Sequence, residues 1–441
     1  MPAPTSETPS AAQQGPIACL RPTHARYWVI VFAITLAVIT YIDRVCISKA
    51  APLMQRDLGL TKEQMGYAFG AFGWAYALFE IPGGWLGDFI GPRKVLMRVV
   101  LMWSAFTAAT GWAWNAVSLV SCRFLFGMGE AGCFPNLTKA FTIWLPAAER
   151  VRAQGMMWLS ARWGGAFTPL LVAWVISLVS WRWAFVFFGS IGVVWAIFFY
   201  IWFRDEPRSH PRVNAGELEL LAEAQRNALK HGPVPWGKFV ASRTVWLLWA
   251  QYFFLSYGWY FYITWMPTYL DESFPRLGEM QRTLLNCIPL FFGGLGSIFC
   301  GLISNPLARL LGSVAQARRW CGLVGLLGAA VMLVTSMQFK NPLLAMLSVG
   351  LASFGNDMAM PGSWGACMDV GGRCAGSLSG SMNMMGNAGG ALAPMVVPFV
   401  LKAAGNWNAN FWMFAAAYVV AALCWLFIDP VTPLEERAPI Q

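Results

Sequence analysis

The sequence predicts an all-α membrane protein whose twelve transmembrane helices form two pseudo-symmetric six-helix bundles. Three observations lead there. Of the 441 residues, 57 % are hydrophobic and only 12 % are charged, about half the charge of a soluble chain. The mean hydropathy of +0.52 comes from repeated uninterrupted apolar stretches, each long enough to cross a roughly 30 Å hydrocarbon core as a helix of about 20 residues. A charged connection near the middle divides these stretches six and six. Together they exclude a soluble globular protein.

In the first bundle (27–203) spans are expected at 27–49, 64–87, 94–114, 116–138, 152–178 and 183–203. In the second (244–428) they are expected at 244–269, 282–303, 320–338, 342–365, 375–401 and 409–428. Residues 1–26, rich in Pro, Ala, Ser and Gln, read as a disordered cytoplasmic tail with no signal-peptide pattern. Segment 204–243 reads as a cytoplasmic linker, whose Glu217-Leu218-Glu219-Leu220-Leu221-Ala222-Glu223-Ala224 suits an amphipathic surface helix. Residues 429–441 form a cytoplasmic C-terminus. With both termini inside, twenty of the 31 Lys and Arg fall on the cytoplasmic side, eight outside, and three (Arg44, Arg123, Arg162) within spans. The positive-inside rule therefore sets the orientation of a multi-pass protein of the cell inner membrane. It also explains the net charge of +10, which gives no reason to expect nucleic acid. The sequon Asn136-Leu137-Thr138 falls on the cytoplasmic side and is not expected to be glycosylated. Most of the ten cysteines sit in apolar stretches without C-x-x-C spacing, so neither a disulfide framework nor a metal site is expected.

An internal repeat supports the division. Gly164-Gly165-Ala166-x-x-Pro169 of span five recurs as Gly389-Gly390-Ala391-x-x-Pro394 of span eleven, while Trp181 and Phe185 match Trp407 and Phe411, and Gly129 and Pro135 match Gly355 and Pro361. Two halves related by an axis along the membrane normal, with a substrate site between them at mid-depth, resemble the major facilitator architecture of secondary transporters.

A charge inside the membrane costs several kcal/mol unless it is paired or wetted. Seven stand in spans: Asp43, Arg44, Glu80, Arg123, Glu130, Arg162 and Asp357. Arg123 and Glu130 are two turns apart and share a face of span four. Arginine suits an anionic substrate because its planar fork gives a carboxylate two charge-assisted bonds and keeps its proton. If Arg44, Arg123 and Arg162 face Asp43 and Glu130 in one cavity, the net +1 suits a monoanion. The other reading makes Asp43 or Glu130 a packing partner of Arg123, and Arg162 a structural residue. No histidine lies in a span, so proton coupling would fall to carboxylates, whose proton affinity rises with burial and falls beside Arg. Glu80 is expected to gate and Asp357 to hydrogen-bond in a span that Gly355, Asn356 and Pro361 could open. Asn383 and Asn387 share a face, suited to substrate hydroxyls or to core hydrogen bonds. From the aromatic crowd of span seven, Tyr257 and Tyr262 are expected at the substrate.

After span two comes Gly84-Trp85-Leu86-Gly87-Asp88-Phe89-Ile90-Gly91-Pro92-Arg93-Lys94. It resembles the major facilitator loop signature, with Phe89 and Pro92 where basic residues are usual. A worn copy, Gly301-x-x-x-Asn305, precedes Arg309, Arg318 and Arg319. Tyr41-Ile42-Asp43-Arg44, Phe79-Glu80-Ile81-Pro82-Gly83-Gly84-Trp85 (Glu80 in place of the usual Gln), and Arg123-x-x-x-Gly127-x-x-Glu130-Ala131 follow a finer pattern. So do Trp265-Met266-Pro267-Thr268-Tyr269-Leu270 and Gly380-Ser381-Met382-Asn383-x-x-x-Asn387. This set resembles the anion:cation symporter branch of the superfamily, bacterial sugar-acid transporters of the galactonate, hexuronate and glucarate type among them. The resemblance implies proton coupling by Asp43 and Glu130, and a gating latch at Asp88 and Arg93. It also implies proton-coupled import of a small organic anion, a sugar acid first, with aromatic acids or dicarboxylates, or sodium- or potential-driven carriage, as alternatives. No cofactor is expected, and G-x-x-x-x-G-K-[ST] is absent. A membrane sensor would need a larger signalling domain. An enzyme would need a nucleophile or metal set, and the carrier is expected to act as a monomer.

Overall fold

A computed structural model describes residues 21–228 and 234–434. The first bundle holds α1 (Tyr27–Leu58), α2 (Lys62–Ile90), α3 (Pro92–Thr110), α4 (Ala116–Glu130) continued by α5 (Cys133–Trp144), α6 (Ala147–Leu178) and α7 (Trp181–Trp202). A connection carrying α8 (Ala215–Ala228) and α9 (Trp236–Ala241) leads to the second. There α10 (Arg243–Thr264), continued by α11 (Met266–Ser273), is followed by α12 (Glu279–Leu311), α13 (Val314–Ser336), α14 (Pro342–Gly371), α15 (Ala375–Ala404) and α16 (Asn408–Phe427). Counting α4–α5 and α10–α11 each as one crossing gives the twelve spans. Eight stretches, one of them the helix pair 342–404, are long and apolar enough to cross a membrane on length and composition alone. Helix α10 is not among them, since its crowd of Tyr and Trp scores low on hydropathy while packing as apolar bodies.

Helix ends follow local chemistry. Thr61 opens α2 with a capping box, its hydroxyl accepting from the Gln64 amide while the Gln64 side chain accepts from the Thr61 amide. Asn115 and Ser118 repeat the device at α4. Span four breaks at Gly132, whose φ of 83° lies in the left-handed region that glycine tolerates. A Cβ there would also stand 2.6 Å from Gly83 Cα.

The repeated glycine pairs have one structural role. Gly165 on α6 receives the ring of Tyr41 from α1, and Gly390 on α15 receives the ring of Tyr260 from α10. The motif thus seats one tyrosine per bundle against a bare stretch of helix.

Between the bundles, α2 crosses α15 and α6 crosses α12, backbone against backbone. A Cβ on Gly84 would lie 2.3 Å from the Gly376 carbonyl oxygen, and one on Gly155 2.6 Å from that of Ser297. These crossings lie in the half of the molecule that carries residues 88–94 and 369–377, here termed the latch end. Toward the opposite end, a Cβ on Gly66, Gly70 or Gly73 of α2 would meet nothing within 4 Å, and Trp74, Phe167 and Phe399 are exposed. The bundles are closed backbone against backbone at the latch end, and α2 is bare toward the other.

Several expectations change. Helix α1 runs to Leu58 and ends at left-handed Gly59, because Ala50-Ala51 and the polar turn after it continue the helix beyond the apolar span. Helix α14 passes unbroken through Gly355, Asn356, Asp357 and Pro361. The tail lies largely outside the described residues, but its last part is anchored. Glu217, fully buried on α8, accepts from the Ala25 amide at 3.1 Å, the Arg26 amide at 3.0 Å and the Thr23 hydroxyl, and pairs with Arg26 at 3.2 Å. Arg26 also binds Glu149 of α6 at 3.0 Å. Burial opposes the charge on Glu217, yet those hydrogen bonds outweigh it and hold its pKa below the ordinary 4.5. Asn136 of the sequon is buried, donating to the Gly83 and Gly132 carbonyls. Residues 435–441 of the C-terminal segment lie outside the described residues.

Candidate anion-binding cavity

A cavity of about 60 Å³ lies at mid-depth between the bundles. Tyr41, Arg44, Tyr76 and Arg162 line it from the first bundle, with Tyr252, Trp259, Tyr260, Asn383 and Asn387 from the second. Its charged lining consists of Arg44 and Arg162. A larger cleft of about 580 Å³ between α12, α13 and α14 is lined by apolar residues and glycine and offers a polar solute no partner.

Each cavity arginine is backed by a buried carboxylate. Arg44 Nε donates to Glu130 Oε1 at 2.5 Å, while its guanidinium lies 4.6 Å from the ring centre of Tyr76 and 5.6 Å from that of Tyr41. Arg162 meets Asp357 through both edges of a fork, Nε to Oδ2 at 2.7 Å and Nη2 to Oδ1 at 2.9 Å. Its Nη1 donates to the Tyr41 hydroxyl at 3.1 Å, and the ring of Trp259 lies 4.0 Å away. The first pair joins α1 to α4 within one bundle. The second joins α6 to α14 across the two. Breaking such a buried pair by removing one partner costs about 3–5 kcal/mol.

Arg123 lies away from the cavity lining, 4.3 Å from the ring centre of Phe126, with Nε and Nη1 free of hydrogen-bond partners among the described residues. Asp43 is buried next to it, with Glu130, Trp103 and Arg123 as its electrostatic neighbours. Glu130 therefore binds Arg44, and Arg123 does not reach it as an ion pair. The five charges expected in one cavity divide between its wall and the helix interior behind it.

Glu80 joins the break in span four to the second bundle. Its Oε2 accepts from the Gly132 amide at 3.2 Å and its Oε1 from Asn383 Nδ2 at 2.7 Å. Asn383 thus has a protein partner in this state, and Asn387 accepts from the Tyr260 hydroxyl at 3.1 Å. At the latch end, Asp88 accepts from the Gly376 and Ser377 amides at 3.1 and 2.6 Å, at the start of α15. A carboxylate is favoured there by the unpaired amides of the first turn. Lys139 lies 3.3 Å from Asp88 and also donates to the Arg373 carbonyl. Arg93 stays within its own bundle, donating through Nη2 to the Tyr200 carbonyl at 2.6 Å. Its amide donates to Asp205.

Tyr257 and Tyr262 are placed elsewhere: Tyr257 donates to the Met413 sulfur at 3.2 Å, and Tyr262 accepts from the Tyr418 hydroxyl at 3.0 Å. The cavity face of α10 is Tyr252, Ser256 and Tyr260, each four residues from the next and hence on one face. That spacing, and the glycine pair opposite Tyr260, were the available signals. Asp369, absent from the expected set, bridges Arg150 of α6 and Arg318 of α13, the latter at 2.5 Å. It stands just past an apolar stretch, where a lone acid draws no notice.

Comparison with known proteins agrees with this architecture. Residues 33–394 match the model of the Major Facilitator Superfamily. A probable sulfoacetate transporter of Cupriavidus necator is 36 % identical over 403 residues, covering 90 % of this chain and 92 % of the relative. A probable galactarate/D-glucarate transporter of Escherichia coli is 30 % identical, with 92 % and 94 % covered. Among solved structures, a proton:xylose symporter superposes with a TM-score of 0.75 at 14 % identity, over 92 % of this chain and 97 % of that one, a likeness of fold. The helices, the two-bundle plan and these matches make the chain a multi-pass membrane protein of a family of transporters, not of enzymes, and it belongs to the major facilitator superfamily.

Proposed function

We propose that this chain is a proton-coupled symporter that imports a small organic anion across the cell inner membrane by alternating access. It acts as a monomer with both termini cytoplasmic, the bundles 27–203 and 244–428 rocking about the linker 204–243. The observation that carries the reading is the cavity itself: two arginines face a space closed at one end, and each is held by a carboxylate that a substrate anion can replace or a proton can neutralise. Relatives described as transporters of sugar acids support a hexonate, hexuronate or glucarate. A short sulfonated acid is the second reading, favoured by the 36 % identical relative and the small cavity.

In this reading the latch end is cytoplasmic and the structure is outward-facing. Protonation of Glu130 frees Arg44 to receive the substrate carboxylate, Asp43 exchanges the proton with Glu130 through the shared field of Arg123, and Asn383 and Asn387 turn to substrate hydroxyls. Glu80 reports the change by exchanging its bond to Asn383, and Asp88 and Arg93 set the gate. Purified protein in sealed vesicles tests this. Labelled organic acid should exchange unmodified in counterflow, and an inward proton gradient should accumulate it. Glu130→Gln should keep counterflow and lose gradient-driven accumulation. The coupling assignment fails if Glu130→Gln and Asp43→Asn both accumulate substrate like the unmodified protein.

A further inference from the structure

We propose that Arg162 forms a second anion subsite, so that the site selects a dianion: a small acid with one anionic group on Arg44 and the other on Arg162. This deepens the organic-anion reading and rests on it. The charges lining the cavity are these two guanidiniums, one from α1 and one from α6, while Glu130 and Asp357 stand behind them fully buried. A solute in the cavity therefore meets positive charge at two places.

Arg162 keeps capacity for a ligand. A guanidinium has five N–H donors, and three are engaged here, two on Asp357 and one on Tyr41. The two that remain, one on each terminal nitrogen, are donors left for an anion. Trp259 at 4.0 Å holds the plane of that fork. Tyr41 links the subsites, its hydroxyl on Arg162 and its ring facing Arg44, and is itself seated against Gly165. A structural role alone accounts poorly for this placement, because a buried ion pair that only packs is replaceable by apolar residues with little loss. The pair also crosses the seam along which the bundles must move. A substrate anion on Arg162 gives it a counter-charge while α6 and α14 change their relation.

Binding of matched acids to the purified full-length chain, followed by calorimetry, tests the assignment: glucarate against gluconate, and sulfoacetate against acetate. For at least one pair the dianion should bind ten-fold or more tightly than the monoanion. Arg162→Gln should bring that pair to within about three-fold by weakening the dianion alone, and the double variant Arg162→Gln/Asp357→Asn, which strands no carboxylate, should do the same. Monoanions that bind as tightly as their dianions, or an equal loss for both members of a pair in the double variant, overturn the subsite. A dianion that binds as expected but never exchanges in counterflow overturns the carrier reading and leaves the subsite standing. Wild-type protein that binds no member of either pair overturns both.

Discussion

The two arginine–carboxylate pairs are chemically alike and mechanically different. Arg44 and Glu130 belong to helices of one bundle, so their geometry survives any rigid movement of that bundle. Arg162 and Asp357 belong to different bundles, so the same movement strains or remakes their contact. One pair keeps its geometry whatever the bundles do, and the geometry of the other depends on how they sit. The two pairs thus share residue types but differ in which helices they join.

The largest test of this difference removes the carboxylates. Asp357→Ala strands Arg162 at the seam, at a cost of about 3–5 kcal/mol. That energy should appear as a redistribution between conformers, read by thiol labelling of single cysteines placed at the latch end and at the open end. Glu130→Ala strands Arg44 within a bundle, and should lower the thermal midpoint while leaving the labelling pattern unchanged. Equal labelling changes in both variants would erase the distinction. A smaller effect is expected of Asp88→Asn, which weakens charge-assisted bonds to the Gly376 and Ser377 amides, worth about 1.5–3 kcal/mol when charged. The latch end should become several-fold more reactive to label.

The clamp at Glu217 lies outside the moving seam and should be weaker still. Because its folded pKa lies below 4.5, its contribution is complete above that pH and is lost as pH falls through the lower folded value. Hydrogen exchange at residues 25–30 should rise in Glu217→Gln, by about 1.5 kcal/mol, the low end for a hydrogen bond to a charged group. In the unmodified chain the opening free energy at these amides, after correction for the intrinsic exchange rate, should fall only below pH 4.5, with no change between pH 5 and 8 attributable to this group. Smallest of all, Tyr257→Phe should leave binding within about two-fold, since its hydroxyl meets only a thioether sulfur, a weak acceptor. Tyr260→Phe, which removes a hydroxyl from the cavity lining, should weaken binding more.

Spans and bundle plan were legible because hydrocarbon is an unforgiving solvent: every crossing needs its apolar run, and each charge within a run stands out. Partners were less so. Arg123 and Glu130 share a helical face, yet seven residues separate them by about 10 Å along the axis, more than the pair can close. The partner that reaches Glu130 comes from α1, and nothing local to span four names it. Tyrosines 257 and 262 were chosen from an aromatic crowd without a phase, whereas the cavity face repeats every four residues at 252, 256 and 260. The bond between Arg162 and Asp357 was hidden for a different reason, since each residue looked solitary in its own span and only the docking of two bundles brings them together. Asp369 was missed because it stands just past an apolar run, and only the fold sets it between Arg150 and Arg318.

The bare crossing of α2 on α15 sets local preference against the working cycle. In an ordinary helix, replacing Gly84 by Ala would favour the helix by about 1 kcal/mol. Here the added methyl would press into the Gly376 carbonyl at 2.3 Å. One carbon atom would thus make the helix better and the machine worse, acting as a doorstop that props the latch end ajar. Gly84→Ala is accordingly a candidate for capturing the opposite conformer without inhibitor or antibody, and a warning that stabilising substitutions chosen from propensity alone would jam this protein.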